Sequence, residues 1–79
     1  MNKRFATILA EVFDLQVSDI HSELEKSEVG TWDSLKQMDL VMTLEKEYTV
    51  TLDIPDILKM VSVASIAQVL QDKGVSLGD

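Results

Sequence analysis

The chain has 79 residues, no cysteine and one histidine, and its 14 acidic and 7 basic side chains give a formal charge of −7. This length suits a single domain over residues 1–79, and the acidic balance argues against nucleic acid or an anionic membrane surface as a partner. Without cysteine, and with His21 as the sole imidazole, we expect no disulfide, no cysteine nucleophile and no metal site. Because no apolar run could span a membrane and no signal-peptide pattern is present, we expect no membrane insertion and a cytoplasmic location.

The first predicted element is an amphipathic helix over residues 5–13, with Asn2 as a candidate N-cap. Its apolar residues follow the i, i+3, i+4, i+7, i+8 spacing of one helix face: Phe5, Ile8, Leu9, Val12 and Phe13. Residues 16–33 are rich in serine and acidic residues, with only isolated apolar side chains. Since a structureless loop of this length is unusual in a small domain, we expect it to contain a short helical turn or to serve a purpose. We expect its apolar residues to pin it to the core.

The second predicted helix covers residues 34–48. One face carries Leu40, Val41, Leu44 and Tyr48. We expect Tyr48 to be half-buried with its hydroxyl in water. Ser34 and Gln37 fit the S-x-x-Q capping box, which indicates a helix start at this serine.

The remaining chain predicts an extended connection over residues 49–52 and two further helices. A short third helix contains Pro55 and has Asp53 as a possible cap, whereas Ser62 caps a last helix that stops near Lys73 and Gly74. The apolar residues of these helices are Ile57, Leu58 and Met60 in the third and Val63, Ile66, Ala67 and Leu70 in the last. Residues 75–79 are expected to fray. The predicted fold class is all-α, a small four-helix bundle of three longer helices and one short helix, with a long first loop.

The second helix has another apolar face, formed by Leu35, Met38 and Met42 at roughly 145° from the first on a helical wheel. Asp39 and Glu45 lie on either side of it. One interpretation is a central helix that packs on both sides, and the other is an exposed surface for partner docking, for which methionines are well suited. Both hold if Leu35 is buried and Met38 is exposed.

Ser34 at the start of this helix is either a simple N-cap or a functional residue. The sequence places no histidine or lysine base beside it, so hydrolytic catalysis by this serine is not expected. A phosphodiester on its hydroxyl would lie at the positive end of the helix dipole, near unpaired backbone N–H groups. A group carried on that phosphate would emerge beside Leu35 and Met38.

The sequence GTWDSL at residues 30–35, followed by MDLVMTLEKEY at residues 38–48, resembles the acyl carrier protein family, and the similarity extends over nearly the whole chain. The resemblance implies that Ser34 carries 4′-phosphopantetheine, transferred covalently from coenzyme A by a phosphopantetheinyl transferase with Mg²⁺. Asp33 would help the transferase to recognise the serine, and Leu35 would flank the arm. The chain would have no catalytic activity of its own. It would hold acyl intermediates as thioesters and present them to enzymes of a fatty acid, polyketide or related pathway.

The resemblance also implies a set of partner-binding residues: Met38, Asp39, Met42, Glu45 and Glu47. They would meet acyl-loading and acyl-transferring enzymes that have basic docking surfaces, with the acidic charge concentrated around the second helix. The carrier would be a monomer, and it could enclose the acyl chain between its helices.

Lys36, Trp32 and the loop at residues 21–29 depart from the pattern of carriers in fatty acid synthesis. These departures favour a specialised carrier, for example in a polyketide, peptide or surface-polysaccharide pathway. The alternative is an unmodified acidic helical adaptor that binds a basic protein partner through the second helix. Attachment of phosphopantetheine distinguishes the two.

Overall fold

A computed structural model describes residues 1–78 of the chain and shows four α-helices among them. They are α1 (Lys3–Phe13), α2 (Ser34–Tyr48), α3 (Ile54–Lys59) and α4 (Val63–Asp72). Two short 3-10 turns, Val17–Asp19 and Lys26–Glu28, lie in the long connection between α1 and α2. The predicted all-α bundle of three longer helices and one short helix is therefore confirmed.

Side-chain caps fix where three of the helices begin. The Asn2 carboxamide accepts from the backbone N–H of Phe5 at 3.0 Å. Asp53 caps α3 and Ser62 caps α4, each by accepting from the backbone N–H three residues on. These caps satisfy N–H groups that have no partner inside the helix, and all three were predicted from sequence.

The core lies where α1 meets α2 and α4. Its fully buried side chains come from α1, α2 and α4 and from Met60, which ends α3: Phe5, Leu9, Phe13, Leu40, Leu44, Met60, Val63, Ile66 and Leu70. The apolar face predicted for α1 is buried in full. This core holds the inner face of α2 and leaves the opposite face of that helix to solvent.

The long connection is tied to the junction between α3 and α4 by three backbone hydrogen bonds. Lys26 donates to Val61 at 2.9 Å, Val63 donates to the carbonyl of Leu24 at 2.9 Å, and Ala64 donates to that of Ser22 at 3.0 Å. Ile20 and Val29 are buried and Leu24 packs against the core, as expected for residues that pin the loop. Val17 is 44% exposed, so the same expectation was wrong for it. The 3-10 turns supply the local structure that a connection of this length was expected to contain.

Three local predictions were wrong. Leu58 was assigned to the apolar side of α3, but its side chain is 73% exposed because α3 turns that position outward. Leu77 is buried against the core, so the predicted fraying does not hold for residues 75–78, and Asp79 lies outside the described residues. The Tyr48 hydroxyl is buried without a hydrogen-bond partner within residues 1–78, whereas it was expected in water.

An ion pair connects the start of α3 to the end of α4. Lys73 Nζ lies 2.7 Å from Asp56 Oδ2, and this contact holds the pKa of the Asp56 carboxyl at about 2. Gly74 follows at φ 91°, a conformation that suits glycine and ends the helix as predicted. No helix within residues 1–78 is both long and apolar enough to cross a membrane.

Candidate functional site

Ser34 is the first residue of α2 and its side chain is exposed. The cap of this helix is Asp33, whose Oδ1 accepts from the backbone N–H of Lys36 at 2.9 Å. The predicted capping box between Ser34 and Gln37 was therefore wrong, because the preceding aspartate already takes the cap position. Within residues 1–78 nothing hydrogen-bonds the Ser34 hydroxyl, so it is available to react.

The surroundings of Ser34 suit a phosphate group. The backbone N–H groups of Ser34 and Leu35 have no protein acceptor in the described part of the chain, and they point out of the positive end of a 15-residue helix. The first turn of α2 contains no acidic residue and includes Lys36. An anion bound through the Ser34 oxygen would therefore meet unpaired donors and a nearby positive charge.

Behind Ser34, a buried hydrogen-bonded cluster fixes the start of α2. The Trp32 indole stacks on Phe13 with ring centroids 4.4 Å apart, and its Nε1 donates to Gln37 Oε1 at 2.6 Å. Gln37 Nε2 donates to the carbonyls of Ile57 and Met60, each at 3.2 Å. Gln37 is only 8% exposed, so a residue expected in a cap instead joins α2 to the preceding loop and to α3.

The second apolar face of α2 is exposed along its length. Leu35 is 82% exposed, Met38 50% and Met42 67%. Of the two interpretations, the structure supports an exposed surface, and the combined version that required a buried Leu35 is wrong. Asp39 is also exposed and lies beside this face. We call these four residues, Leu35, Met38, Asp39 and Met42, the α2 face.

The other two acids predicted to meet partners, Glu45 and Glu47, make contacts within the chain. Glu45 Oε2 accepts from the backbone N–H of Leu52 at 2.8 Å, which holds the extended connection against α2. Glu47 lies on the side of α2 that faces α1, where Arg4 Nη2 contacts both its carbonyl oxygen at 2.6 Å and its Oε1 at 3.3 Å. Both carboxylates therefore have partners within the chain, and neither adds an unpaired charge to the α2 face.

The negative charge is concentrated before α2 and not on it. Residues 14–33 contain six acids and one lysine: Asp14, Asp19, Glu23, Glu25, Glu28, Asp33 and Lys26. Helix α2 contains three acids and two lysines: Asp39, Glu45, Glu47, Lys36 and Lys46. By this count the lysines of α2 offset most of its own acids, and the expectation that the charge is concentrated around the second helix stays a prediction.

Helix α3 adds exposed apolar side chains that the sequence analysis missed. Ile54, Leu58 and Val61 are all exposed in the short segment that follows the extended connection. Six residues give α3 less than two full turns, too few for a hydrophobic periodicity to show which side faces the core. Ile54, Ile57 and Leu58 share the i, i+3, i+4 spacing of one helix face, so the sequence offered no signal that separates the exposed Leu58 from the partly buried Ile57.

Within residues 1–78, no group of three or more histidine, aspartate or glutamate side chains could hold a metal ion. The site is therefore described by an accessible serine, its helix N-terminus, a buried cluster behind it and an apolar exposed face beside it. This arrangement fits the class of carrier domains that present an accessible hydroxyl at the start of a helix.

Comparisons with known proteins agree with this class. The phosphopantetheine attachment site family matches residues 3–70. The solution structure of a holo acyl carrier protein from Geobacter metallireducens superimposes with a TM-score of 0.79 at 25% identity, over 92% of this chain and 86% of that one. A non-reducing polyketide synthase from Emericella nidulans, dbaI, is 32% identical over 66 residues, which are 84% of this chain and 2% of that synthase.

The chain belongs to the phosphopantetheine attachment site family and is a carrier domain of the acyl carrier protein type. Its function is to carry acyl groups in biosynthesis on a covalently attached phosphopantetheine, which confirms the expected carrier over the unmodified adaptor. Carrier domains of this type are not catalytic themselves.

Proposed function

We propose that Ser34 is the residue that carries the phosphopantetheine and that the chain serves as a specialised carrier without catalytic activity of its own. The observation that carries the proposal is the exposed Ser34 hydroxyl at the first position of α2, with the cap supplied by Asp33. Because the cap and the hydroxyl belong to different residues, modification leaves the capping hydrogen bond in place.

In the attachment reaction, the Ser34 oxygen attacks the phosphorus of coenzyme A that bears the pantetheine. A phosphodiester bond forms at Ser34, the bond to the second phosphorus of the pyrophosphate breaks, and the nucleotide leaves with that phosphate. The hydroxyl proton passes to a base on the transferase, since the neighbouring Asp33 carboxylate is engaged as the cap of α2. The arm supplies the thiol that this cysteine-free chain lacks, and acyl groups are held there as thioesters.

Asp33 has two roles in this proposal, as a cap and as a charge read by the transferase. The α2 face then meets the enzymes that load and unload the arm, with its three apolar side chains as the contact and Asp39 as the charge beside it. The acidic loop at residues 14–33 faces basic docking surfaces and speeds encounter through its net charge. Glu45 and Glu47 support α2 through their contacts with Leu52 and Arg4.

The pathway class that we propose is polyketide or related biosynthesis in the cytoplasm, with the chain as a monomeric single domain at residues 1–79. The similarity to part of a non-reducing polyketide synthase supports this class. Trp32 and Lys36, which differ from carriers in fatty acid synthesis, lie on either side of Ser34 and support a specialised member.

The test is modification of the purified protein by a promiscuous phosphopantetheinyl transferase with coenzyme A and Mg²⁺, followed by intact mass spectrometry. We expect one phosphopantetheine increment in the wild type and in Ser18→Ala, which removes another exposed serine. Ser34→Ala should show none. An increment that persists in Ser34→Ala, or its absence from the wild type with several transferases, would overturn the assignment.

The role of Asp33 is tested separately with Asp33→Asn, because asparagine caps a helix as well as aspartate but carries no charge. We expect Asp33→Asn to keep the Tm of the wild type and to be modified more slowly by the transferase. Because the fold is then equally stable, the lower rate is due to the lost charge. Equal modification rates for Asp33→Asn and the wild type would show that the transferase does not read this carboxylate.

A further inference from the structure

The Trp32–Gln37 cluster lies behind Ser34, between the start of α2 and the end of α3. Gln37 lies one helical turn after Ser34, so the two side chains are neighbours on the surface of α2. The Gln37 amide spans from α2 to the end of α3, where it donates to the carbonyls of Ile57 and Met60 at 3.2 Å. A chain that passed between α2 and α3 at this point would have to displace it.

Displacement of Gln37 would leave several polar groups without partners. The Trp32 indole N–H and the Met60 carbonyl each have Gln37 as their hydrogen-bond partner within residues 1–78, and both contacts are buried. An alkyl chain offers neither a donor nor an acceptor to replace these bonds. The cluster is also packed from behind by Phe13, which is fully buried.

The cavity that Trp32 does line opens outward. It has a volume of about 560 Å³ and lies between the second 3-10 turn and the junction of α3 with α4. Its lining consists of Glu25, Lys26, Ser27, Trp32, Val61 and Ser62. The indole is part of the wall that separates this surface groove from the core, so the groove does not lead into the bundle.

We propose that the hydrogen-bonded Trp32–Gln37 cluster closes the bundle behind Ser34, so that this carrier keeps its acyl cargo outside its helices. The proposal rests on attachment at Ser34 and is the opposite of the expectation that the bundle encloses the acyl chain. Because each exposed methylene in water is unfavourable, the cargo class that fits is short or oxygen-bearing acyl chains and not long alkyl chains. Gln37 is the residue that determines this preference.

The experiment compares acetyl and octanoyl forms of the isotope-labelled protein, each made by transfer from the corresponding acyl-coenzyme A. Intact mass first establishes that each sample is loaded, so a failure of attachment is distinguished from a failure of this inference. NMR then follows the single indole N–H, that of Trp32, and the methyl groups of Leu40, Leu44 and Ile66 in the core, and Tm is measured in parallel.

In the wild type we expect no shift of these signals and no change in Tm between the two forms. Gln37→Ala should open a path, so that the octanoyl form gains core methyl shifts and a higher Tm. Gln68→Ala, which removes an exposed glutamine bonded to Asp72 on α4, is the matched control and should behave as the wild type.

Core shifts or a raised Tm for the octanoyl wild type would overturn the proposal, whether or not Gln37→Ala folds. A folded Gln37→Ala in which octanoyl causes no core shift would overturn the role of Gln37.

Discussion

Replacement of Gln37 by leucine should destabilise the domain, because it removes the hydrogen bonds that join Gln37 to Trp32 and Met60. Leucine has a similar size but neither donates nor accepts, so the Trp32 indole N–H and the Met60 carbonyl lose their partner. The Ile57 carbonyl keeps a bond from the backbone N–H of Met60 at 3.1 Å. Two buried groups without partners cost about 1–3 kcal/mol each, so the gross loss is about 2–6 kcal/mol.

The gain from a more apolar side chain offsets part of that loss. Burial of a leucine contributes about 1.5–3 kcal/mol, which leaves a net destabilisation of about 0.5–3 kcal/mol for Gln37→Leu. This is a large share of the roughly 4–12 kcal/mol expected for a domain of this length. The assay is urea unfolding followed by circular dichroism, with Gln68→Leu on the exposed side of α4 as a control that should change stability by less than about 0.5 kcal/mol.

A second substitution identifies the cause of the loss. In Trp32→Phe the indole N–H is gone, so Gln37→Leu should cost less in that background than in the wild type, by about 1 kcal/mol or more. Wild-type stability for Gln37→Leu, or equal costs in both backgrounds, would refute the reasoning that hydrogen bonds hold the cluster together.

Three further predictions concern caps and charges. The carboxyl of Asp56 has a pKa of about 2 beside Lys73, below the value of about 3.9 expected when unfolded, so its contribution to stability is complete above about pH 4 and is lost as the pH falls towards 2. Tm measured across that range should fall less for Asp56→Asn than for the wild type, and parallel curves would contradict this. Tyr48→Phe should unfold at the same or a higher urea concentration, because it removes a buried hydroxyl that has no partner within residues 1–78 and whose pKa is raised by burial. The substitution keeps the ring, whose centroid lies 4.7 Å from the Arg4 guanidinium carbon. A decrease of more than about 1 kcal/mol in the free energy of unfolding would contradict this prediction. Asp33→Ala should lower the free energy of unfolding by about 1 kcal/mol, because it removes the hydrogen bond from the Lys36 backbone N–H to the Asp33 carboxylate. An unchanged free energy would contradict this, since it would mean that water satisfies the Lys36 N–H equally well.

The helices could be predicted because their signals are local. A face of apolar residues at helical spacing is enough to place α1, and the caps at Asn2, Asp53 and Ser62 depend on residues three positions apart. The start of α2 at Ser34 was also predicted, although from a Ser34–Gln37 capping box in place of the Asp33 cap that the structure shows. In each case the interacting groups lie within one helical turn of each other.

The role of Gln37 could not be predicted because its partners are distant in sequence. Its acceptors on α3 are 20 and 23 residues away, and a local capping motif offered a competing explanation for the same residue. The pairing of Glu47 with Arg4, 43 residues apart, was hidden for the same reason. Side chains on α3 were misplaced because six residues give too little periodicity to orient a helix.

The two sides of α2 place different demands on a domain of only 79 residues. A helix that is recognised by several enzymes must keep one face exposed, so the rest of its surface has to fix its position. Here Leu40 and Leu44 are buried in the core, Gln37 bonds to α3, and Glu45 holds the connection that follows. Because none of these contacts uses the side chains of Leu35 or Met38, that face stays exposed while the helix that begins at Ser34 is held in place.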